Sequence, residues 1–135
     1  MNRIRDKIKE INKFLDEFKK IIPDSLEEYG NNIEKKAACE RYFEKILEAE
    51  TDLAFLIIKG KKFKIPEDDA DAFNILLENN IIDIDLATKL KKAKGMKNII
   101  SHQYGNVDDK IVFESITKKL ERDAREFIKN VKKKY

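Results

Sequence analysis

The only histidine of the chain, His102, stands in the run Lys97-Asn98-Ile99-Ile100-Ser101-His102-Gln103-Tyr104. An imidazole titrates near neutrality, so it can take or give a proton at physiological pH. Lys97, with Lys91 and Lys94 upstream, supplies cations for an anionic group such as a phosphate, Asn98 can bridge phosphate or hold the imidazole, and Tyr104 offers a phenol. At 100° per residue, Met96, Ile99 and Ile100 fall on one side of a helix while Lys91, Lys94, Asn98, Ser101 and His102 fall on the other. His102 thus lies off the apolar stripe, which leaves an acid–base or interface role open beside a structural one.

A second polar stripe is formed by Arg41, Lys45, Glu48 and Asp52, spaced by four, three and four residues. It reads either as an exposed ladder of ion pairs or as the wall of a pocket in which Glu48 and Asp52 accept hydrogen bonds from Lys97. Two carboxylates do not define a metal site, and one His with one Cys cannot complete a zinc ligand set, so no metal and no cofactor is assigned. The acidic run at residues 67–72, EDDADA, suits the first turn of a helix, where carboxylates meet the positive end of the dipole. Cys39, flanked by Ala37, Ala38 and Tyr42, reads as a buried, inert thiol.

The elements that must hold these groups are helices. Ile4, Ile8, Ile11, Leu15, Phe18 and Ile22 recur at spacings of three and four, which predicts a helix over residues 2–22 ending at Pro23. Asp24 and Glu27 resemble a capping box opening a short turn through Leu26 and Tyr29. A long central helix runs from Ile33 to about Gly60, and a third starts at Pro66 and ends near Asn79-Asn80. The fourth is capped by Asp83 or Asp85 and runs to the Gly105-Asn106 break, and the fifth runs from Asp108 nearly to the C-terminus. The expectation is an all-α, up-and-down bundle of about five helices in a single domain over residues 1–135.

Composition agrees. Only 4 Gly and 2 Pro in 135 residues leave too few turn-formers for a many-stranded sandwich or barrel, and equal apolar and charged fractions of 41% argue against disorder. No uninterrupted apolar stretch suggests a signal or membrane span, so the cytoplasm is the expected compartment. The net charge of +3 is unevenly distributed: residues 1–88 hold 15 Lys/Arg against 20 Asp/Glu, a balance of −5, and residues 89–135 hold 14 against 6, a balance of +8. The final third therefore attracts anions, nucleic acid among them, while residues 65–86, with seven Asp/Glu and no Lys/Arg, offer an acidic face to solvent or to a basic partner.

The run GMKNIISHQYGNVDDKIVFESI resembles the signature of the HepT-like branch of the HEPN superfamily, whose fourth helix ends in Arg-Asn-x-x-x-His-x-Tyr. Asn98, His102 and Tyr104 match, and Lys97 replaces the arginine. Upstream, Ala38, Glu40, Arg41, Glu48, Ala49 and Asp52 resemble the family's long second helix, so the resemblance covers nearly the whole chain. It implies the toxin of a type VII HEPN/MNT toxin–antitoxin pair: a metal-independent ribonuclease and two-fold homodimer, neutralised by a nucleotidyltransferase-fold antitoxin of the MNT or MntA kind that transfers AMP to Tyr104. RNA cleavage through the 2′-hydroxyl needs a base, an acid and cations at the phosphorane, and a dimer supplies two copies of His102 where one chain has one. Lys97 keeps the charge of the family arginine but loses its planar fork, which implies either a weakened nuclease or a catalytically silent nucleotide-binding or regulatory module that partners the nucleotidyltransferase.

Overall fold

Isoleucines at every third or fourth position commit the first segment to a helix with one apolar edge, and a computed structural model, which describes residues 2–102 and 108–135, forms it as α1, Asn2–Lys19. Ile4, Ile8, Ile11, Leu15 and Phe18 are all buried along that edge. The helix ends three residues before the expected limit, because the Ile21 and Ile22 N–H groups both turn back to the Phe18 carbonyl ahead of Pro23.

Short α2, Leu26–Asn31, is capped by Ser25, whose hydroxyl accepts from the Glu28 N–H at 3.1 Å, rather than by the Asp24–Glu27 box the sequence suggested. The Glu28 carboxylate instead accepts from the Asp24 N–H, so the reciprocal pattern exists one residue further along. Asn32 then caps α3, Ile33–Lys61, the central helix, which stops where Lys62 adopts a left-handed conformation. Against α3 pack α1, α2, α4 and α5.

Helix α4, Asp69–Glu78, begins beyond Pro66, because Asp68 accepts the Asp71 N–H at 2.7 Å and sets the first helical residue three positions past the proline. Asp83 caps α5, Ile84–His102, by accepting the Leu86 N–H at 2.8 Å. The Gly105-Asn106 break and Tyr104 lie outside the described residues. From Asp109 the chain is helical through α6, Asp109–Glu114, a π-helical segment, Ser115–Lys119, and α7, Leu120–Lys134. Helix α7 packs against both α5 and α1, which closes the bundle. No strand occurs among the described residues, and side chains from every helix meet in one apolar core.

One apolar assignment differs from the expectation. Ile100 is buried and Met96 packs against the core, but Ile99 is 46% exposed. The core contacts of α5 form a stripe too narrow to take in both isoleucines. Cys39 is fully buried as expected, and burial pushes its thiol up to about 11.

Candidate ribonuclease site

Helix α5 presents a different neighbour on each side, and its polar residues divide accordingly. Lys97 faces α3 and lies 3.9 Å from the Glu48 carboxylate, with only 17% of its side chain exposed. Lys94 faces α4, where it is buried and ion-paired with Asp69 at 2.9 Å. Lys91 donates to the Asn74 side chain of α4 at 2.8 Å. The two lysines expected to contact phosphate therefore each already hold a partner in the fold, and Lys94 is the more firmly bound because it is desolvated.

Asn98 is exposed one turn before His102, the last residue of α5. Four residues along a helix bring these two positions within about 40° of one another on the same face. Lys97 lies about 140° around the helix from His102 by the same arithmetic. By this arithmetic Asn98 shares the face of α5 on which position 102 falls, whereas Lys97 projects toward α3.

The stripe on α3 is split by the tertiary structure. Glu48 meets Lys97, whereas Asp52 lies 3.4 Å from Lys7 of α1. Arg41 is exposed, with its guanidinium 3.7 Å from Glu44 on its own helix. The ammonium of Lys45 sits over the rings of Phe14 and Tyr42, 4.4 and 4.7 Å from their centroids. Among the described residues, Glu48 is the one of the four that touches the α5 group, and it does so with the cation the sequence suggested.

A further acidic group was not anticipated. Glu50 is 1% exposed, and neither of its carboxyl oxygens has a hydrogen-bond partner among the described residues. Its carboxyl is pushed up to about 8, first by burial and then by repulsion from Asp123 of α7. A signal was present in the sequence, since Phe43, Ile46, Leu47, Leu53, Ala54 and Ile57 set a core phase on which Glu50 falls.

Comparison with known proteins matches the ribonuclease HepT-like family over residues 6–131. The chain is similar to an mRNA nuclease HepT of Shewanella oneidensis, with 35% identity over 85 residues that make up 63% of either chain, so it spans somewhat under two thirds of that relative. It is 27% identical to a tRNA nuclease HepT of Aphanizomenon flos-aquae over 84% of this chain and 78% of that one. Among solved structures it resembles the tri-AMPylated Shewanella oneidensis HEPN toxin in complex with an MNT antitoxin, at a TM-score of 0.89, 27% identity and 96% coverage of both chains. With a family match across nearly its entire length and the Asn98, His102 and Tyr104 pattern in place, the chain belongs to the ribonuclease HepT-like family.

Proposed function

We propose that this protein is the toxin of a toxin–antitoxin pair and cleaves RNA in the cytoplasm without a metal ion, at a site shared by two copies of the chain. The observation that carries the reading is the grouping of Lys97, Asn98 and His102 on the last turns of α5 in a chain of this family. In the shared cleft, one His102 removes the 2′-hydroxyl proton and the other protonates the departing 5′-oxygen. Lys97 stabilises the phosphorane charge and Asn98 holds a phosphate oxygen or the imidazole. Glu48 keeps the Lys97 ammonium near the cleft wall until phosphate competes for it. A nucleotidyltransferase-fold antitoxin neutralises the toxin by transferring AMP to Tyr104, bringing negative charge to the place that RNA would occupy.

The second reading is a silent binding module, and it is favoured by Lys97 itself, a point charge already engaged by Glu48 where the family has an arginine fork. One assay separates the two. With a labelled RNA and excess chelator, the wild type is expected to cut, His102→Ala to lose about a hundredfold or more in rate, and Lys97→Arg to cut faster. Absence of cleavage by both wild type and Lys97→Arg would overturn the nuclease reading and leave the binding module.

A further inference from the structure

Between α3, α5 and the π-helical entry to α7 lies a cleft of about 300 Å³. Apolar side chains, Phe43, Leu90, Ala93 and Met96 among them, line it together with the buried polar groups Glu50, Asp123 and Ser115 and with the cations Lys89, Lys92, Lys119 and Arg122. Such a composition is that of a small-molecule site, at the lower end of the usual size range. The π-helical segment contributes Ser115, whose carbonyl accepts from the Leu120 N–H five residues on, and single π turns of this kind gather at binding sites because they widen the backbone there.

Glu50 is the group that demands an occupant. A buried carboxyl with no partner on either oxygen costs more than an apolar residue would at the same place. Asp123, 6% exposed, has Arg122 at 3.0 Å, so this neighbouring acid is engaged whereas Glu50, among the described residues, is not. Lys89, 2.9 Å from Asp85, stands at the mouth, where Lys92 and Lys119 are exposed and have no ion-pair partner among the described residues. A rim of this sign repels organic cations, which removes the simplest ligand for a carboxyl. It favours a molecule with a neutral planar head and an anionic tail.

We propose that this cleft binds a nucleobase, with Glu50 pairing the base edge and Lys92 and Lys119 meeting the adjoining phosphate. A neutral carboxyl donates through its O–H and accepts through its carbonyl oxygen. Adenine offers the complement, a ring nitrogen that accepts beside an amino group that donates. The same chemistry comes from a free nucleotide or from an unstacked base of single-stranded RNA. The RNA source rests on the nuclease reading above, because α5 carries both this cleft at Met96 and His102 six residues on; the free-nucleotide source does not depend on it.

Calorimetric titration of the full chain at about pH 6 with AMP, adenosine, ribose 5-phosphate and a non-cleavable oligodeoxyadenylate tests the proposal. AMP is expected to bind wild type. Glu50→Leu, checked for native folding by circular dichroism, should weaken it about tenfold or more, the value of one bidentate base pairing. Glu50→Gln, which keeps a donor and an acceptor, should bind within a few-fold of wild type. Raising the pH to about 9 should weaken AMP binding by wild type and not by Glu50→Gln, because the ionised carboxylate has no O–H to donate, whereas the other charged groups that face the cleft, Lys89, Lys92, Lys119, Arg122 and Asp123, are common to both proteins. Lys119→Ala should weaken AMP and leave adenosine unchanged. Binding of AMP alone identifies a free nucleotide as the ligand and binding of the oligomer alone identifies an RNA base; either supports the pocket. AMP affinity equal to that of ribose 5-phosphate, or unchanged in a folded Glu50→Leu, overturns it. A protein that cuts RNA without binding AMP or the oligomer loses the pocket and keeps the nuclease reading, and one that binds without cutting does the reverse.

Discussion

Glu50 occupies a core-phase position of α3, and burial together with Asp123 pushes its carboxyl up to about 8 from an ordinary value of 4.5. Between these two values the unfolded chain has released the proton while the folded chain keeps it. The folded state therefore binds more protons, and its stability falls as pH rises through that window. The loss is roughly 1.4 kcal/mol for each pH unit inside the window, levelling off above about 8. Glu50→Gln has nothing to ionise and fills the same volume. It should match wild type near pH 4 and exceed it increasingly up to about pH 8 in urea denaturation midpoints. A wild type whose Glu50-dependent difference is flat across that range would show that the carboxyl is not held neutral by the fold.

At the scale of the element, α5 carries Lys97, Asn98 and His102 of the proposed site and has a glycine in its interior. Gly95 sits at an exposed position, and a Cβ placed there meets nothing within 4 Å. Its backbone freedom is unused by the fold, so Gly95→Ala should stabilise the protein by about 0.5–1 kcal/mol through the lowered entropy of the unfolded chain. A rise of a few degrees in the thermal midpoint checks this, and a fall would mean that α5 needs flexibility at this point. The neighbouring lysines show how an element's surroundings decide what its sequence cannot. Lys91, Lys94 and Lys97 look alike in the sequence, yet the first bonds an amide of α4, the second is buried against α4 with an exposed carboxylate at its tip, and the third reaches an exposed carboxylate of α3. Helical periodicity placed them on a polar face; which of them stays available depends on α3 and α4, whose approach no local pattern specifies.

For the whole molecule, the nuclease reading requires a second copy, since one chain provides one imidazole. The proposed dimer would cover exposed apolar residues of α5, namely Ile99 at 46% exposure and Ile84 at 71%. Light scattering at micromolar concentration is expected to give twice the chain mass of 15.9 kDa. Ile99→Glu, which places a charge on this exposed apolar position, should shift the protein toward monomer and reduce cleavage in proportion. A monomeric wild type that cuts RNA at full rate would rule out the shared site.

What the sequence determined by itself is local in origin. The three-and-four spacing of Ile4 to Phe18, the cap at Asp108 and the core phase of α7 follow from backbone geometry and side-chain polarity, and the all-helical fold with its order of elements was legible from them. Helix starts were legible only to within three residues, because the cap at Ser25 against Asp24, and the start at Asp69 against Pro66, are set by hydrogen-bond geometry rather than by composition. The family pattern of Asn98, His102 and Tyr104 was likewise visible in the chain. Tertiary structure alone decided that Glu48 meets Lys97 while Asp52 turns to Lys7, and that Glu50 and Asp123, 73 positions apart in sequence, share one cleft. A helix repeats its faces every turn, so the sequence says which residues share a face, but only the packing of one helix on another fixes what that face meets.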